Sequence, residues 1–229
     1  MNKTVYRILT WAVLPIVIVV LCVLIVNSVL KPINFNKEKA QREAVAIQRL
    51  KDLRTIQAAF KSEAGHYAST FDSLKTFYNT GSITVEMQIG SKDDSVAVEN
   101  TKALKKKQPK ITPAQMLELS KAGEKLVFSI KSTIPVRDTL FNTRNNFSID
   151  SIFVIPFCGE PVGMQTVVKE VSGVPVPLFE ATIPYRSLLR GLDNQLRINL
   201  DADRIDTGRY PGLMVGSVTA PNNNAGNWE

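Results

Sequence analysis

His66 is the only histidine in the chain. A metal site built from several histidines is therefore excluded, and a His-based catalytic triad is hard to sustain. His66 lies in Gly65-His66-Tyr67, a helix-ending turn without other ligand types, and reads as a surface or capping residue. Asp201, Asp203 and Asp206 are the richest acidic cluster, and the first two have the opening spacing of a calcium loop. Ile205 stands where the third ligand belongs, Asp206 where the loop needs Gly, and no Glu closes it. These carboxylates are expected to cap a turn, with Arg204 and Arg209 balancing their charge. Ser120 and Lys121 are adjacent but lack the wider constellation of a hydrolase. Cys158 is expected to be buried beside Phe157. The other cysteine, Cys22, lies in an apolar run, so no intramolecular disulfide staples the soluble part. The chain has no P-loop, Gly-x-Ser-x-Gly elbow or Gly-x-Gly-x-x-Gly fingerprint. The reading is of a non-catalytic chain that uses no cofactor and no metal.

The net charge of +7 comes mainly from a membrane-proximal helix and from Lys102, Lys105, Lys106, Lys107 and Lys110. No aromatic side chains interleave these lysines, which argues against nucleic acid as a partner. A solvated loop or helix end is expected, with contact to anionic lipid head groups as the alternative.

The element that dominates the chain is the uncharged apolar run Ile8 to Leu30, flanked by Lys3 and Arg7 before it and Lys31 after it. As a helix it spans about 34 Å, enough to cross a bilayer core of about 30 Å. It is longer than the core of a cleaved signal peptide, and Leu21 before Cys22 makes a poor lipobox. The expectation is a retained single-pass anchor with Trp11 near the entry interface and membrane lipid as its solvent. The Lys and Arg count favours a cytoplasmic C-terminal side. The long-domain exception favours the opposite, with the large domain outside the cytoplasmic membrane.

Lys31-Pro32 is expected to break the helix at its exit. Helical periodicity resumes from Lys37 to about Ala64, where Ala46, Leu50, Leu53, Ile56 and Phe60 form one apolar stripe. That stripe can cover the protein's own sheet or pair with another helix held beside the membrane. Thr70 or Ser69 caps a helix over 71–79, followed by strands over 83–89 and 96–98 as a small hairpin. Residues 100–112 read as a basic linker. Thr112-Pro113 opens a further helix. Strands follow over 126–131, 149–156, 164–171, 176–183, 195–200 and 213–218, with a turn at Ser172-Gly173 and a short helix near 185–190. The tail, 221–229, ends in Trp228 and Glu229, and its indole should seek an apolar contact in its own domain or in a neighbouring subunit. The divisions are thus 1–7, 8–30, 31–99, 100–112, 113–220 and 221–229. The fold class is α+β: a transmembrane helix continuing through a break into an amphipathic helix, then a mainly antiparallel β-rich region.

Leu53 to Leu74 resembles the membrane-proximal region of type IV pilins and pseudopilins, through Phe60, Gly65, Tyr67, Phe71 and Leu74. Over the whole chain, Arg49-Leu50-Lys51-Asp52-Leu53-Arg54, Ser69-Thr70-Phe71-Asp72-Ser73-Leu74 and the ending Pro221 to Glu229 look like a family of single-span envelope proteins from Bacteroidota-type bacteria. The resemblance implies an envelope location, a single pass through a bacterial inner membrane with the large C-terminal domain in the periplasm, and carries over no catalytic residue. Two functions follow as expectations. One is a structural or assembly subunit, as in a secretion or pilus-like platform, contacting copies of itself or other envelope proteins through the stripe and Trp228. The other is an anchored binding module for a lipid, peptide or glycan.

Overall fold

The computed structural model describes residues 9–145 and 147–229, so the basic tail 1–7 and Ile8 lie outside the described residues. A π-helical stretch, Leu9–Val13, leads into α1, Leu14–Ala64, a single helix of 51 residues. The expected break is absent: Pro32 lies inside α1. Proline removes one amide and crowds the carbonyl four residues back, a local cost of about 3 kcal/mol. The helical periodicity that resumes at Lys37, with Ala46, Leu50 and Leu53 fully buried beyond it, carries the helix through. The apolar side chains of Leu14 to Leu30 are 47–63% exposed, and α1 is long and apolar enough to cross a membrane by length and composition. Gly65 ends α1 in a left-handed conformation, φ 77°, and its amide donates to the Lys61 carbonyl.

The chain forms two compact units, Met1–Thr55 with Ser148–Glu229, and Ile56–Phe147. In the second unit, α2 (Phe71–Thr80) starts at Thr70, whose hydroxyl accepts from the Ser73 amide. Strand β1 (Ser82–Ile89) is followed by α3 (Ser95–Lys107) and α4 (Pro113–Lys121). The expected strand 96–98 and most of the expected linker 100–112 are therefore helix. Asp94 takes the amides of Val96 and Ala97 and nucleates α3, and Lys105, Lys106 and Lys107 sit at its C-terminal, electronegative end. Thr112 and Gln115 form a reciprocal capping box on α4. The hairpin partner of β1 is β2 (Phe128–Pro135), antiparallel from Ser82↔Pro135 to Ile89↔Phe128, followed by one turn of helix, α5 (Val136–Thr139). Met116, Leu126 and Phe128 form a core cluster beneath Ile89, Leu104, Ile111 and Ile130.

In the first unit, Ile149–Ile152 is a single helical turn, α6, rather than the expected strand 149–156, and Val154 makes only an isolated bridge to Pro161. Strands β3 (Gly163–Val171), β4 (Val174–Pro184) and β5 (Gly212–Gly216) form one antiparallel sheet in that order. The β3–β4 hairpin turns on Ser172 and Gly173, φ 53° and 79°, the two left-handed positions that a tight hairpin demands. Between β4 and β5 lie α7 (Tyr185–Leu188) and α8 (Asn194–Asp206). The strand expected at 195–200 is the first half of α8. Leu196, Ile198 and Leu200 alternate as a strand would, yet Asp193 Oδ1 accepts from the Gln195 and Leu196 amides and starts a helix that leaves Ile198 43% exposed. Among the described residues the architecture is thus α+β, with one long helix and two small antiparallel sheets, less β-rich than expected.

Candidate functional site

The residues of the apolar stripe divide by burial. Ala46, Leu50, Leu53 and Ile56 are fully buried within the chain. Phe60 is half-buried and stacks edge-on against Phe77, 5.2 Å between centroids, and against His66 at 5.7 Å. His66 Nδ1 lies 3.0 Å from the Tyr67 carbonyl. The side chain of Gln57, fully buried beside the stripe, accepts from the Ala68 amide at 3.0 Å and donates to the Ala68 carbonyl at 2.9 Å. One glutamine thus replaces both missing backbone partners of the loop after α1.

Three arginines of α1 reach backbone carbonyls of its own unit. Arg42 donates to the carbonyls of Leu188 (3.1 Å) and Arg190 (2.9 Å) and lies over the Phe157 ring. Arg49 donates to the Val154 carbonyl, and burial lowers its pKa. Arg54 donates to the Asn224 carbonyl at 3.2 Å and pairs with Glu229 at 2.7 Å. Nearby, Ser187 and Arg190 both donate to Glu160, and the Ser187 hydroxyl does most to hold that carboxyl below its ordinary range.

Tyr185 is fully buried at the start of α7. Its hydroxyl donates to Glu43 Oε1 at 2.5 Å and accepts from Arg204 at 3.2 Å. Lys39 pairs with Glu43 at 3.7 Å, and Lys39 and Arg204 both lie within 6 Å of the ring centroid. Burial first, and the hydrogen bond to Glu43 second, push the Tyr185 pKa up from 10.0. A raised folded-state value means that the unfolded chain loses this proton first as pH rises, so the contribution is intact below pH 10 and is lost above it. Tyr185→Phe is expected to cost about 1–2 kcal/mol at neutral pH, by removing one buried hydrogen bond. It is also expected to flatten the fall of the urea midpoint above pH 10; an unchanged alkaline slope would show that Tyr185 does not carry it.

The C-terminal tail docks in cis. Residues Asn224–Asn227 run along the outer edge of β5: Gly216 N donates to Ala225 O (3.0 Å), Asn227 N to Met214 O (2.9 Å) and Asn227 Nδ2 to Gly212 O (2.9 Å). The tail thereby covers an edge strand that would otherwise be open to pairing. A Cβ on Gly226 would stand 2.4 Å from the Trp228 ring, so this close approach requires glycine. The Arg54 hydrogen bond holds the Glu229 carboxyl below its ordinary range, which keeps the pair charged above pH 4.5 and releases it as pH falls through the lowered value. In a Trp11→Phe background, Arg54→Ala is expected to shift Trp228 emission to the red and expose the tail to carboxypeptidase. Unchanged emission would mean that the β5 contacts alone hold it.

Among the described residues no group of three His, Cys, Asp or Glu converges as a metal site. Asp201, Asp203 and Asp206 lie on α8, not in a turn, and at about 100° per residue they point around the helix rather than to one centre. Asp201 accepts from Arg197 at 2.8 Å. Cys158 is half-buried and lies in a turn. The first unit instead carries a cavity of about 460 Å³ between Leu24, Asn27, Ser28, Lys31 and Pro32 of α1 and Asp193, Gln195 and Leu196. A second cavity of about 440 Å³ adjoins it, sharing Lys31 and Asp193 and reaching Phe35 and Leu192. Sequence reasoning passed over this groove because its two walls lie more than 150 positions apart in the chain. The only local signals were Pro32 and the polar Asn27-Ser28 at the end of the apolar run. Comparison with family models, curated proteins and solved structures finds no match to the chain.

Proposed function

We propose that this protein is a single-pass, membrane-anchored, non-catalytic structural or assembly subunit of a bacterial envelope complex, with its folded units on the periplasmic side. The observation that carries the reading is the exposure of every large apolar side chain from Leu14 to Leu30 on a helix whose continuation is fully buried at Ala46, Leu50 and Leu53. An apolar helix surface of that length needs a non-aqueous solvent. The polar side chains best placed for chemistry are engaged in structural bonds: Glu43, Tyr185 and Arg204 join three helices, and Glu160 and Gln57 hold loops to helices. Since the stripe is spent inside the chain, contacts with copies of itself or with other envelope proteins fall to exposed apolar residues of the folded part. The β3–β4 hairpin offers Val171 and Val174, 38% and 58% exposed and paired across the turn.

The test is cross-linking of the full chain in intact membranes, followed by mass spectrometry of the adducts. Defined self-adducts or envelope partners that disappear in Val171→Asp/Val174→Asp are the expected result. A chain that yields only monomer at every cross-linker length would overturn the assembly role.

A further inference from the structure

We propose that the groove between α1 and the start of α8 binds a membrane phospholipid with an ethanolamine head group. The proposal rests on the anchoring of α1 in a bilayer. Leu24 belongs to the exposed apolar part of α1, whereas Asn27, Ser28 and Lys31 begin its polar continuation, so the groove straddles the level at which an anchored helix passes from hydrocarbon to head groups. Its volume, about 460 Å³ beside a further 440 Å³, lies in the range of small-molecule sites.

The lining selects the head group. Both cavities share one cation, Lys31, and one anion, Asp193, while the second cavity also meets Glu38, whose carboxylate accepts from Arg42 at 3.2 Å and is already paired. A purely anionic head group would meet the Asp193 carboxylate, while a zwitterion answers both charges, its phosphate at Lys31 and Asn27 and its ammonium at Asp193. Among the described residues Asn27, Ser28 and Lys31 make no hydrogen bond or ion pair through their side chains. Asp193 uses Oδ1 to cap α8, and its Oδ2 makes none. The second observation is independent of charge. Pro32 has no amide, so the Ser28 carbonyl lacks the helical donor that position 32 supplies elsewhere, and Ser28 and Pro32 both line the groove. A carbonyl and a carboxylate together call for N–H donors, which a primary ammonium carries and a trimethylammonium does not.

The test takes the full-length chain from vesicles with equal mole fractions of phosphatidylethanolamine, phosphatidylcholine and phosphatidylglycerol of matched acyl chains, and counts the lipids retained by native mass spectrometry. The wild type is expected to retain the ethanolamine lipid several-fold over the other two. Asp193→Asn keeps the helix cap, since Asn caps as well as Asp, and is expected to bring the ethanolamine and choline lipids to parity. Lys31→Gln is expected to lower retention of all three. Equal retention by the wild type overturns the site, as does a preference for phosphatidylglycerol, which would mark simple attraction to lysine. An ethanolamine preference unchanged in both variants overturns it too. Vesicle flotation in parallel separates the two levels. A chain that floats without head-group preference loses only the lipid site, whereas a chain that does not float loses the anchor on which the site depends.

Discussion

A chain beginning at Leu24 is expected in the aqueous fraction, while the full chain stays with the membrane through an alkaline carbonate wash. The residues removed include Leu14 to Val23, whose apolar side chains are about half exposed and contribute nothing to either core. Each Leu, Ile or Val at the centre of an inserted helix favours insertion by about 0.3–0.6 kcal/mol, and the run holds no charge to oppose the sum. The truncated chain keeps Ala46, Leu50, Leu53 and the three carbonyl-binding arginines, so its folded units are expected to unfold at the same urea midpoint as the full chain. A milder form of the experiment places Arg at Val20, at a cost of about 2.5–3.5 kcal/mol at the helix centre. Recovery of the full chain in the aqueous phase, or of the truncated chain in the pellet, would remove the basis for an anchored subunit.

Leu50→Ala is expected to lower stability by about 2–5 kcal/mol, the range for deleting a fully buried leucine side chain. Against a typical total of about 5–15 kcal/mol that is a large fraction. Leu50→Asp goes further, because an unpaired carboxylate would replace the same buried volume, and loss of the folded state is expected. The control is Val45→Asp. Val45 is 41% exposed, five positions earlier on the same helix, and such a change is expected within about 0.5 kcal/mol of the parent. Urea midpoints for the three variants decide it. Near-parental stability of Leu50→Ala would mean that the stripe is not buried within the monomer and that a partner helix covers it instead. A charge at Leu50 therefore probes folding before it can report on any partner, and interaction tests belong on the hairpin valines.

Much of the fold was legible where local chemistry and periodicity agreed. The apolar run, the stripe on α1, the Thr70 cap, the Thr112-Pro113 helix start and the Ser172-Gly173 hairpin all appear where residue types placed them, because each depends on neighbours within a few positions. The differences have a common physical origin. At 195–200 and 96–98 a short alternating pattern predicts a strand, but an Asp two residues before the first captured amide starts a helix. At Pro32 a local penalty predicts a break, but the helix continues because the part beyond is held by buried Leu50 and Leu53.

By itself, the amino-acid order determined that one segment is too apolar for water, that its continuation has a single buried face, and that groups for metal or triad chemistry are scarce. It could not determine which distant segments meet. The pairing of β1 with β2 across two intervening helices, the hydrogen bond from Tyr185 to Glu43, the tail along β5 and the groove joining Lys31 to Asp193 were decided only in three dimensions. The reason is the short range of sequence patterns. Caps, turns and stripes act over a few residues, whereas these contacts close loops of tens to more than a hundred residues and are selected by the burial and hydrogen bonding of the whole unit.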